Sequence, residues 1–442
     1  MKALVLSGGA GTRLRPITHT SAKQLLPVAN KPVLFYGLEA IRDAGITDVG
    51  LVVGDTAPAI EEAVGDGSAF GLNVTYLRQE APLGLAHAVL IARPFLGDDD
   101  FVMYLGDNFI VGGISPLVDE FRAARADAQI MLTQVPDPRE FGVAELDETG
   151  QVVGLEEKPR QPKSDLASMG VYVFSKRALR RWLTEDRNDF GRDVIPAMLD
   201  GGARVFGYRF QGYWQDVGTI QSYWEANLAL LEDRPELDLY DREWLIHTRS
   251  EERAPAQVGP TAQVHRSLIS HGCVINGTVV NSVLSPGVRV DVGAVVRDSI
   301  VMFDSVIRSG AVVDRAILDK EVVVGPGAIV GDGPDFDTPN KQEPGRLNSG
   351  ITVVGKRAII PRGVRIGRNV KIAGDVKAND FASRMVKSGA SIEAGSAKRH
   401  AGRQAPDKLA PVAIDPSTNG HREAKVVGGL SRVAAAGTPV ED

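Results

Sequence analysis

The strongest constraint on the fold is an apolar residue that recurs at every sixth position in the C-terminal half of the chain. These positions hold β-branched residues or leucine, with glycine, aspartate, serine and asparagine between them. They are Val295, Val301, Ile307 and Val313, then, after a one-residue slip, Leu318, Val324 and Val330, and further on Val354, Ile360, Ile366 and Ile372. This period is typical of a parallel β-helix, usually left-handed for hexapeptides, in which each repeat forms one face of a coil. The alternative, a β-sandwich, would show strict alternation and hairpin turns, and neither is found.

The repeat also sets the expected domain organisation, because a chain of 442 residues is too long for one ordinary domain. We assign residues 1–235 to a first domain, 236–253 to a linker and 254–381 to the β-helix. The polar, turn-rich segment 331–350 interrupts the repeat and is predicted to form a loop that leaves the coil. Residues 382–442 contain no aromatic side chain, and we expect them to form a disordered tail.

In the first domain, short apolar runs alternate with amphipathic segments. The predicted strands are 3–6, 49–53, 74–77, 101–105 and 130–135, and the predicted helices are 32–44, 57–64, 84–92 and 116–126. This alternation predicts an α/β fold with a Rossmann-like, mostly parallel sheet covered on both faces. Ligands of such sheets bind outside the carboxyl ends of the strands, so we expect the functional residues to lie there.

The first strand runs directly into a glycine-rich turn. At Gly8, Gly9 and Gly11 the absence of a Cβ allows backbone N–H groups to approach phosphate oxygens. Arg13 can pair with two oxygens of a triphosphate, and Lys23 offers a point charge. The turn lacks both the Gly-Lys-Ser/Thr ending of a P-loop and the third glycine of a dinucleotide-binding fingerprint.

Two aspartates and one glutamine are further candidates for nucleotide binding. Asp107 follows an apolar strand, and Asp216 lies in a later Gln-Asp-Val-Gly segment. Two carboxylates that meet over a triphosphate would suit Mg²⁺, although each aspartate alone could equally be a helix cap or a turn residue. Gln79 can read the edge of a base with its donor and acceptor, and Gly84 lets the backbone approach the ring. The alternative for this segment is a surface loop that leads into a helix.

These motifs resemble, in their order, those of the sugar nucleotidylyltransferases. Residues 8–14 read Gly-Gly-Ala-Gly-Thr-Arg-Leu, and Lys23 follows; the resemblance extends along nearly the whole chain. It implies transfer of a nucleotide to a hexose 1-phosphate with release of pyrophosphate, with Arg13, Lys23 and Asp107 as catalytic residues. It also implies that Asp107 and Asp216 hold Mg²⁺.

The same resemblance assigns the sugar-phosphate contacts. Glu157 and Lys158 follow a predicted strand at 152–155, where Lys158 would hold the sugar phosphate and Glu157 would accept hydrogen bonds from sugar hydroxyls. Gly142 and Ser168 lie in segments similar to sugar-binding segments of the family. The alternative for the charged pair is a solvated charge run.

The two ends of the chain resemble different members of the family. Residues 1–158 look like the long form of glucose-1-phosphate thymidylyltransferase, through segments 21–27, 65–68, 79–88 and 105–108. From residue 157 onward the chain is more similar to glucose-1-phosphate adenylyltransferase, which makes ADP-glucose for glycogen synthesis, through segments 166–174, 189–196, 213–223, 237–242 and 270–277. Both families use glucose 1-phosphate. Because the base-facing segments lie in the first part, we favour dTTP over ATP. UTP stays open, since a methyl group gives only about 1–3 kcal/mol of discrimination.

Composition excludes several other classes. The formal net charge of -6 is spread along the chain, without a basic stripe for nucleic acid. No apolar stretch approaches the roughly 20 residues that span a bilayer, and the first one is too short for a signal peptide. The lone cysteine, Cys273, is expected to fill the core. We therefore expect a cytoplasmic protein, and we expect a homo-oligomer because the β-helix is predicted to mediate subunit contacts or regulation.

Two alternatives of a different kind remain. A non-catalytic regulatory homologue would be expected to lack Arg13, Lys23 or Asp107, and all three are present. An acyltransferase built on the same coil would use a catalytic histidine, for which His271 is the only plausible candidate.

Overall fold

Two architectures follow one another in the computed structural model, which describes residues 1–9, 11–19, 21–184, 187, 189–235, 237, 239 and 253–395. Apart from a short antiparallel pair, Pro27–Val28 with Lys31–Pro32, the strands of the first part are β1 (Lys2–Leu6), β2 (Asp48–Val53), β3 (Asn73–Arg78), β4 (Phe101–Leu105), β5 (Asn108–Ile110), β6 (Ala128–Gln134), β7 (Gly142–Leu146), β8 (Val152–Glu157), β9 (Leu166–Phe174), β10 (Val205–Arg209) and β11 (Trp214–Asp216). Its α-helices are α1 (Val33–Asp43), α2 (Ala57–Val64), α3 (Leu85–Ile91), α4 (Arg93–Leu96), α5 (Ser115–Ala124), α6 (Lys176–Trp182), α7 (Ile195–Asp200) and α8 (Ile220–Ala229). Short 3₁₀ turns include Thr12–Leu14 and Lys23–Leu25, and a π-helix covers Phe190–Val194.

The central sheet has nine strands in the order β8-β7-β9-β4-β1-β2-β3, with β6 also paired to β9 and β10 paired to β6. Strands β1–β4, β6, β7 and β10 point the same way, whereas β8 and β9 run against them. The predicted α/β fold with a mostly parallel sheet is therefore confirmed. Strand β9 was not predicted from the pattern, and it runs antiparallel to its three neighbours β4, β6 and β7.

Helices cover both faces of this sheet. Along β1, Ala3 and Val5 belong to an apolar cluster with residues of α1 and α5. Leu4 and Leu6 point to the opposite face and join a second cluster with residues of α3 and α7. Because both faces are buried, the central strands are apolar throughout, and the polar groups are left to the loops at the strand ends.

The second part is a left-handed β-helix with three parallel sheets. The first contains Gln257–Val258, Val274–Ile275, Arg289–Val290, Val306–Ile307, Val323–Val324 and Ile359–Ile360. The second contains Gln263–His265, Thr278–Val280, Val295–Arg297, Val312–Asp314, Ile329–Val330, Arg365–Ile366 and Met385–Val386. The third contains Leu268–Ile269, Val283–Leu284, Ile300–Val301, Ala316–Leu318, Thr352–Val354, Lys371–Ile372 and Ser391–Ile392. Cys273 is buried in the core of this coil, as expected.

The predicted repeat positions are fully buried in the coil except the first. Val295 is partly exposed, and its neighbour Val296 occupies the core position and lies opposite Val313. The step from Val296 to Val301 therefore covers five residues, as does the step from Val313 to Leu318. Asp298 and Arg315 lie within these two steps with φ of 48° and 46°. This left-handed conformation tightens the corner in each of these two coils and explains the slip in the repeat.

The expected end of the β-helix at residue 381 is wrong. Strands Met385–Val386 and Ser391–Ile392 pair with the coil beyond it. Between Val330 and Thr352, where a loop was expected, the buried Asn340 donates from its amide to the Asn369 and Ala390 carbonyls. The predicted linker lies outside the described residues except for positions 237, 239 and 253, and so does the tail from 396 onward. Within the described part, no helix has the length and apolar character needed to cross a membrane.

The β-helix packs against the sheet domain close to the glycine-rich turn. Leu14, next to Arg13, shares an apolar cluster with Leu347, which belongs to the loop of the β-helix. The neighbouring Arg346 donates from Nη1 to the Thr12 carbonyl at 3.3 Å. Trp224 of α8 donates to the Asp298 carbonyl at 2.8 Å. The second part of the chain therefore touches the turn that carries Arg13.

Candidate active site

The glycine-rich turn lies at the carboxyl end of β1. Gly11 has φ of 59°, a conformation that glycine adopts at little cost, and it starts the 3₁₀ turn that carries Arg13. A Cβ at Gly54, which follows β2, would lie 2.9 Å from the Gly8 carbonyl oxygen. The turn is thus held close to the ends of two neighbouring strands, and its role as a phosphate-binding loop stays a prediction.

Asp107 lies beside this turn because of the glycine that precedes it. The Gly106 amide donates to the Leu6 carbonyl at 3.0 Å, and a Cβ at Gly106 would clash with Ser7 Oγ. The loop after β4 can therefore approach the loop after β1 as closely as it does only with glycine at this position. Lys23 forms an ion pair with the Asp107 carboxylate.

Asp216 is brought to the same place by a two-stranded pairing outside the main sheet. Strand β11 pairs antiparallel with β5, and Asp216 lies opposite Asn108, the residue after Asp107. Asp107, Asp216, Arg13 and Lys23 thus form one cluster at the carboxyl ends of β1 and β4. The sequence-based expectation that the two distant acids approach each other agrees with this geometry.

The electrostatics of the cluster call for a cation. Burial and, second, the charge of Asp107 raise the pKa of Asp216 to about 6, although Lys23 and Arg13 act in the opposite direction. Asp216 Oδ1 is buried and has no hydrogen-bond partner within the described part of the chain, which is costly for a carboxylate. Two hard oxygen ligands in this position fit Mg²⁺, which completes its shell with phosphate oxygens and water. No group of three or more potential ligands occurs among the described residues.

A cavity of about 520 Å³ opens beside the cluster. Arg13 and Asp216 are part of its lining, together with Phe141, Trp214 and Thr219. The rings of Phe141 and Trp214 lie 5.2 Å apart, centroid to centroid. Since Phe141 precedes the predicted sugar contact Gly142, the cavity connects Arg13 and Asp216 with the predicted sugar segment.

Three of the predicted sugar residues converge. Glu157 on β8 lies opposite Gly142 on β7, and a Cβ at Gly142 would be 3.0 Å from Glu157 Oε2 and 3.8 Å from Ser168 Cβ. The Ser168 hydroxyl is buried and bonds the Tyr172 hydroxyl at 2.8 Å. Lys158 follows Glu157 with φ of 52° and is exposed.

Two further residues beside Glu157 were given no role from the sequence. A Cβ at Gly191 would lie 2.9 Å from Glu157 Oε2, and the Asp189 carboxylate caps the same π-helix by accepting from the Arg192 N–H. Burial and, second, the charge of Asp189 raise the pKa of Glu157. The Asp-Phe-Gly segment at 189–191 resembles the adenylyltransferases in sequence, and the fold brings it next to Glu157.

Asn108 joins the carboxylate cluster to the sugar segment. It is buried, its amide donates to the Met169 carbonyl at 2.5 Å, and its Oδ1 accepts from Trp214 Nε1 at 3.1 Å. Met169 neighbours Ser168, and Trp214 lies on the strand of Asp216. Asn108 therefore links the strand of Asp216 to the segment of Ser168 through two hydrogen bonds.

The predicted base residues lie at the end of β3, outside the lining of the cavity. Gln79 Nε2 donates to the Gly84 carbonyl at 3.2 Å, and Gly84 has φ of 97°. Gln79 Oε1 faces the glycine-rich turn, 3.3 Å from where a Cβ of Gly8 would be. His87, which the sequence did not single out, contacts Gln79 Nε2 through Nδ1 at 3.1 Å.

Comparison with known proteins identifies the family. Residues 2–233 match the nucleotidyl transferase family model, and residues 254–354 match the GlmU-like C-terminal hexapeptide model. A glucose-1-phosphate thymidylyltransferase of Streptomyces griseus is 54% identical over 336 residues, which cover 73% of this chain and 93% of the relative. One of Streptomyces antibioticus is 49% identical over 332 residues, with the same two coverages. A glucose-1-phosphate adenylyltransferase of Thermomicrobium roseum is 45% identical over 419 residues, 88% of this chain and 96% of the relative. The chain is thus a nucleotidyltransferase and belongs to the nucleotidyl transferase family.

Proposed function

We propose that this protein is a glucose-1-phosphate thymidylyltransferase, which makes dTDP-glucose and pyrophosphate from dTTP and glucose 1-phosphate. The observation that carries the proposal is the approach of Asp107 and Asp216 beside Arg13 and Lys23 at the glycine-rich turn. The nucleotide is supported by the two Streptomyces relatives, which are named thymidylyltransferases and are the more identical ones.

Asp107 and Asp216 would hold Mg²⁺, which supplies charge neutralisation at the triphosphate when bound. The orphaned Oδ1 and the raised pKa of Asp216 support this assignment. The homo-oligomer and the cytoplasmic location inferred from the sequence stay predictions.

The reaction needs positioning more than proton transfer. A phosphate oxygen of glucose 1-phosphate forms a bond to the α-phosphorus of dTTP, and the bond from that phosphorus to the bridging oxygen breaks. Pyrophosphate leaves with the electron pair of that bond. Arg13 and Lys23 stabilise the growing negative charge on it, and Lys158 orients the attacking phosphate. A phosphate dianion is already a nucleophile, so no general base is required.

Replacing Lys158 by alanine is expected to raise the KM for glucose 1-phosphate roughly tenfold to a hundredfold, the value of a hydrogen bond to a charged group. The KM for dTTP should stay unchanged, because the proposal assigns this side chain to the sugar phosphate and not to the nucleotide. Initial rates at varied concentrations of each substrate measure both constants.

Lys163→Ala is the matched control. This lysine lies on the same segment, is 69% exposed and pairs with Glu145 at 3.2 Å. Equal KM values for glucose 1-phosphate in both variants would remove Lys158 from sugar-phosphate binding.

The second candidate is glucose-1-phosphate adenylyltransferase. It is favoured by the Thermomicrobium roseum relative, whose similarity covers 88% of this chain, against 73% for the thymidylyltransferases. We rank this candidate second because the thymidylyltransferase relatives are the more identical ones, at 54% and 49% against 45%.

Separate assays with dTTP, UTP, ATP and GTP, each with glucose 1-phosphate and Mg²⁺, test the proposal through pyrophosphate release. We expect the highest kcat/KM with dTTP. A higher kcat/KM with ATP than with dTTP and UTP would make the protein an adenylyltransferase instead.

A further inference from the structure

The amide group of Gln79 is held in one orientation by two neighbours. Its Nε2 lies 3.2 Å from the Gly84 carbonyl oxygen and 3.1 Å from His87 Nδ1. A carbonyl oxygen can only accept a hydrogen bond, so the nitrogen of the amide must face it. The second hydrogen of the NH₂ group is then directed at the imidazole, which has to present a lone pair at Nδ1 and carry its proton on Nε2.

This arrangement decides which atom of Gln79 is left for a ligand. Both hydrogens of Nε2 are used, so the group that remains is Oε1, an acceptor. Oε1 is directed towards the glycine-rich turn, 3.3 Å from where a Cβ of Gly8 would be. A base bound beside that turn therefore meets an acceptor and not a donor.

His87 is well placed to hold this orientation. It lies in the first turn of α3 between Ala86 and Ala88, both of which are buried against the sheet, while His87 itself is half-buried. The helix backbone at this point is fixed by packing, so the imidazole position is set by one side-chain rotamer. Gly84, the other partner of the amide, precedes the same helix with φ of 97°.

We propose that His87 is a positioning residue that turns Gln79 Oε1 towards the base and so selects pyrimidines with a ring N–H. This inference rests on the proposed use of dTTP. Thymine and uracil have a hydrogen on N3, which Oε1 accepts, whereas cytosine has a lone pair on N3, which Oε1 repels. Without His87 the amide keeps only its hydrogen bond to the Gly84 carbonyl. It can then rotate so that Nε2 faces the base in place of Oε1.

The nucleotides dUTP and dCTP form a matched pair for the test, because they differ only in the groups at N3 and C4. In the wild-type enzyme we expect a higher kcat/KM with dUTP than with dCTP. His87→Ala should lower that ratio roughly three- to tenfold, the value of one neutral hydrogen bond, mainly through KM for dUTP. Alanine is the best helix former, so α3 should persist in this variant.

His87→Gln provides the rescue, because its side-chain oxygen can accept from Gln79 Nε2, and we expect it to retain most of the wild-type ratio. Glu80→Ala is the control: this side chain is 83% exposed, follows Gln79 directly and contacts Arg78. It should leave the ratio unchanged.

A His87→Ala enzyme that keeps the wild-type ratio within twofold, while the wild type uses dTTP, would overturn this inference and leave the proposed function standing. An equal loss in His87→Ala and His87→Gln would also overturn it, since the acceptor would then not be the cause. Wild-type turnover of ATP with neither dTTP nor dUTP would refute the proposed nucleotide itself, and with it the selection of a ring N–H.

Discussion

The Asp107→Asn enzyme is expected to fold normally and to lose roughly 10²–10³-fold or more in kcat, the range for removal of a preorganised charge-stabilising group. Asparagine has the same size, so Gly106 can still approach Ser7 and the strand ends keep their spacing. The variant removes one of two proposed Mg²⁺ ligands and the ion-pair partner of Lys23. Pyrophosphate release at saturating dTTP, glucose 1-phosphate and Mg²⁺ measures the loss.

Asp119→Asn is the control for this substitution. Asp119 lies on α5, its side chain is 75% exposed, and it pairs with Arg122 on the same helix surface. It should retain wild-type kcat. A kcat near the wild-type value in Asp107→Asn, with an unchanged melting temperature, would remove Asp107 from the mechanism.

The sequence predicted the sheet domain well because apolar runs and glycine turns are local signals. The predicted strand at 49–53 is Asp48–Val53 in the structure, and the predicted helix 57–64 is Ala57–Val64. Strand β9, by contrast, was not assigned from the pattern. It is buried along its whole length, and its position is set by pairing with β4 and β6. Such long-range pairing leaves no periodic pattern in the local sequence.

The β-helix was predicted from its repeat, but the repeat did not show which residue of each coil is buried. Val295 and Val296 are both valines, and either could continue a six-residue period. Asp298 has a left-handed backbone conformation, and the corner that contains it is one residue shorter than the six-residue period. Val296 is therefore buried in the core in place of Val295. The five-residue corners at 296–301 and 313–318 are visible only once neighbouring coils are aligned.

The candidate site was predicted largely through the resemblance, and the structure explains why. Asp107 and Asp216 meet through a pairing of only three residues on each strand, which is too short to leave a pattern. His87 and Asp189 gave no signal of their own, because their positions depend on the conformation of Gly84 and on the π-helix after Asp189. His87 and Asp189, which lie beside the predicted residues Gln79 and Glu157, were therefore not found from the local sequence.

Asp216→Asn is expected to inactivate the enzyme and, at the same time, to stabilise it in the absence of metal. Burial and the charge of Asp107 raise the pKa of Asp216 from 3.8 to about 6. At neutral pH the ionised side chain therefore destabilises the folded state, by up to roughly 3 kcal/mol at 1.36 kcal/mol per pKa unit. An amide does not carry this charge, so the variant in EDTA at pH 7.5 should have a higher melting temperature than the wild type.

The pH dependence gives this prediction its sign. Because the pKa is higher in the folded state, the wild type loses stability as the pH rises from about 4 to about 6, and the variant does not. The difference in melting temperature should therefore be present at pH 7.5 and small near pH 4. Mg²⁺ with dTTP should stabilise the wild type more than Asp216→Asn, since only the wild type keeps both carboxylates. Asp119→Asn should resemble the wild type in EDTA at both pH values. If Asp216→Asn melted below the wild type in EDTA at pH 7.5, the two carboxylates would not be the strained pair that makes this cluster a cation site.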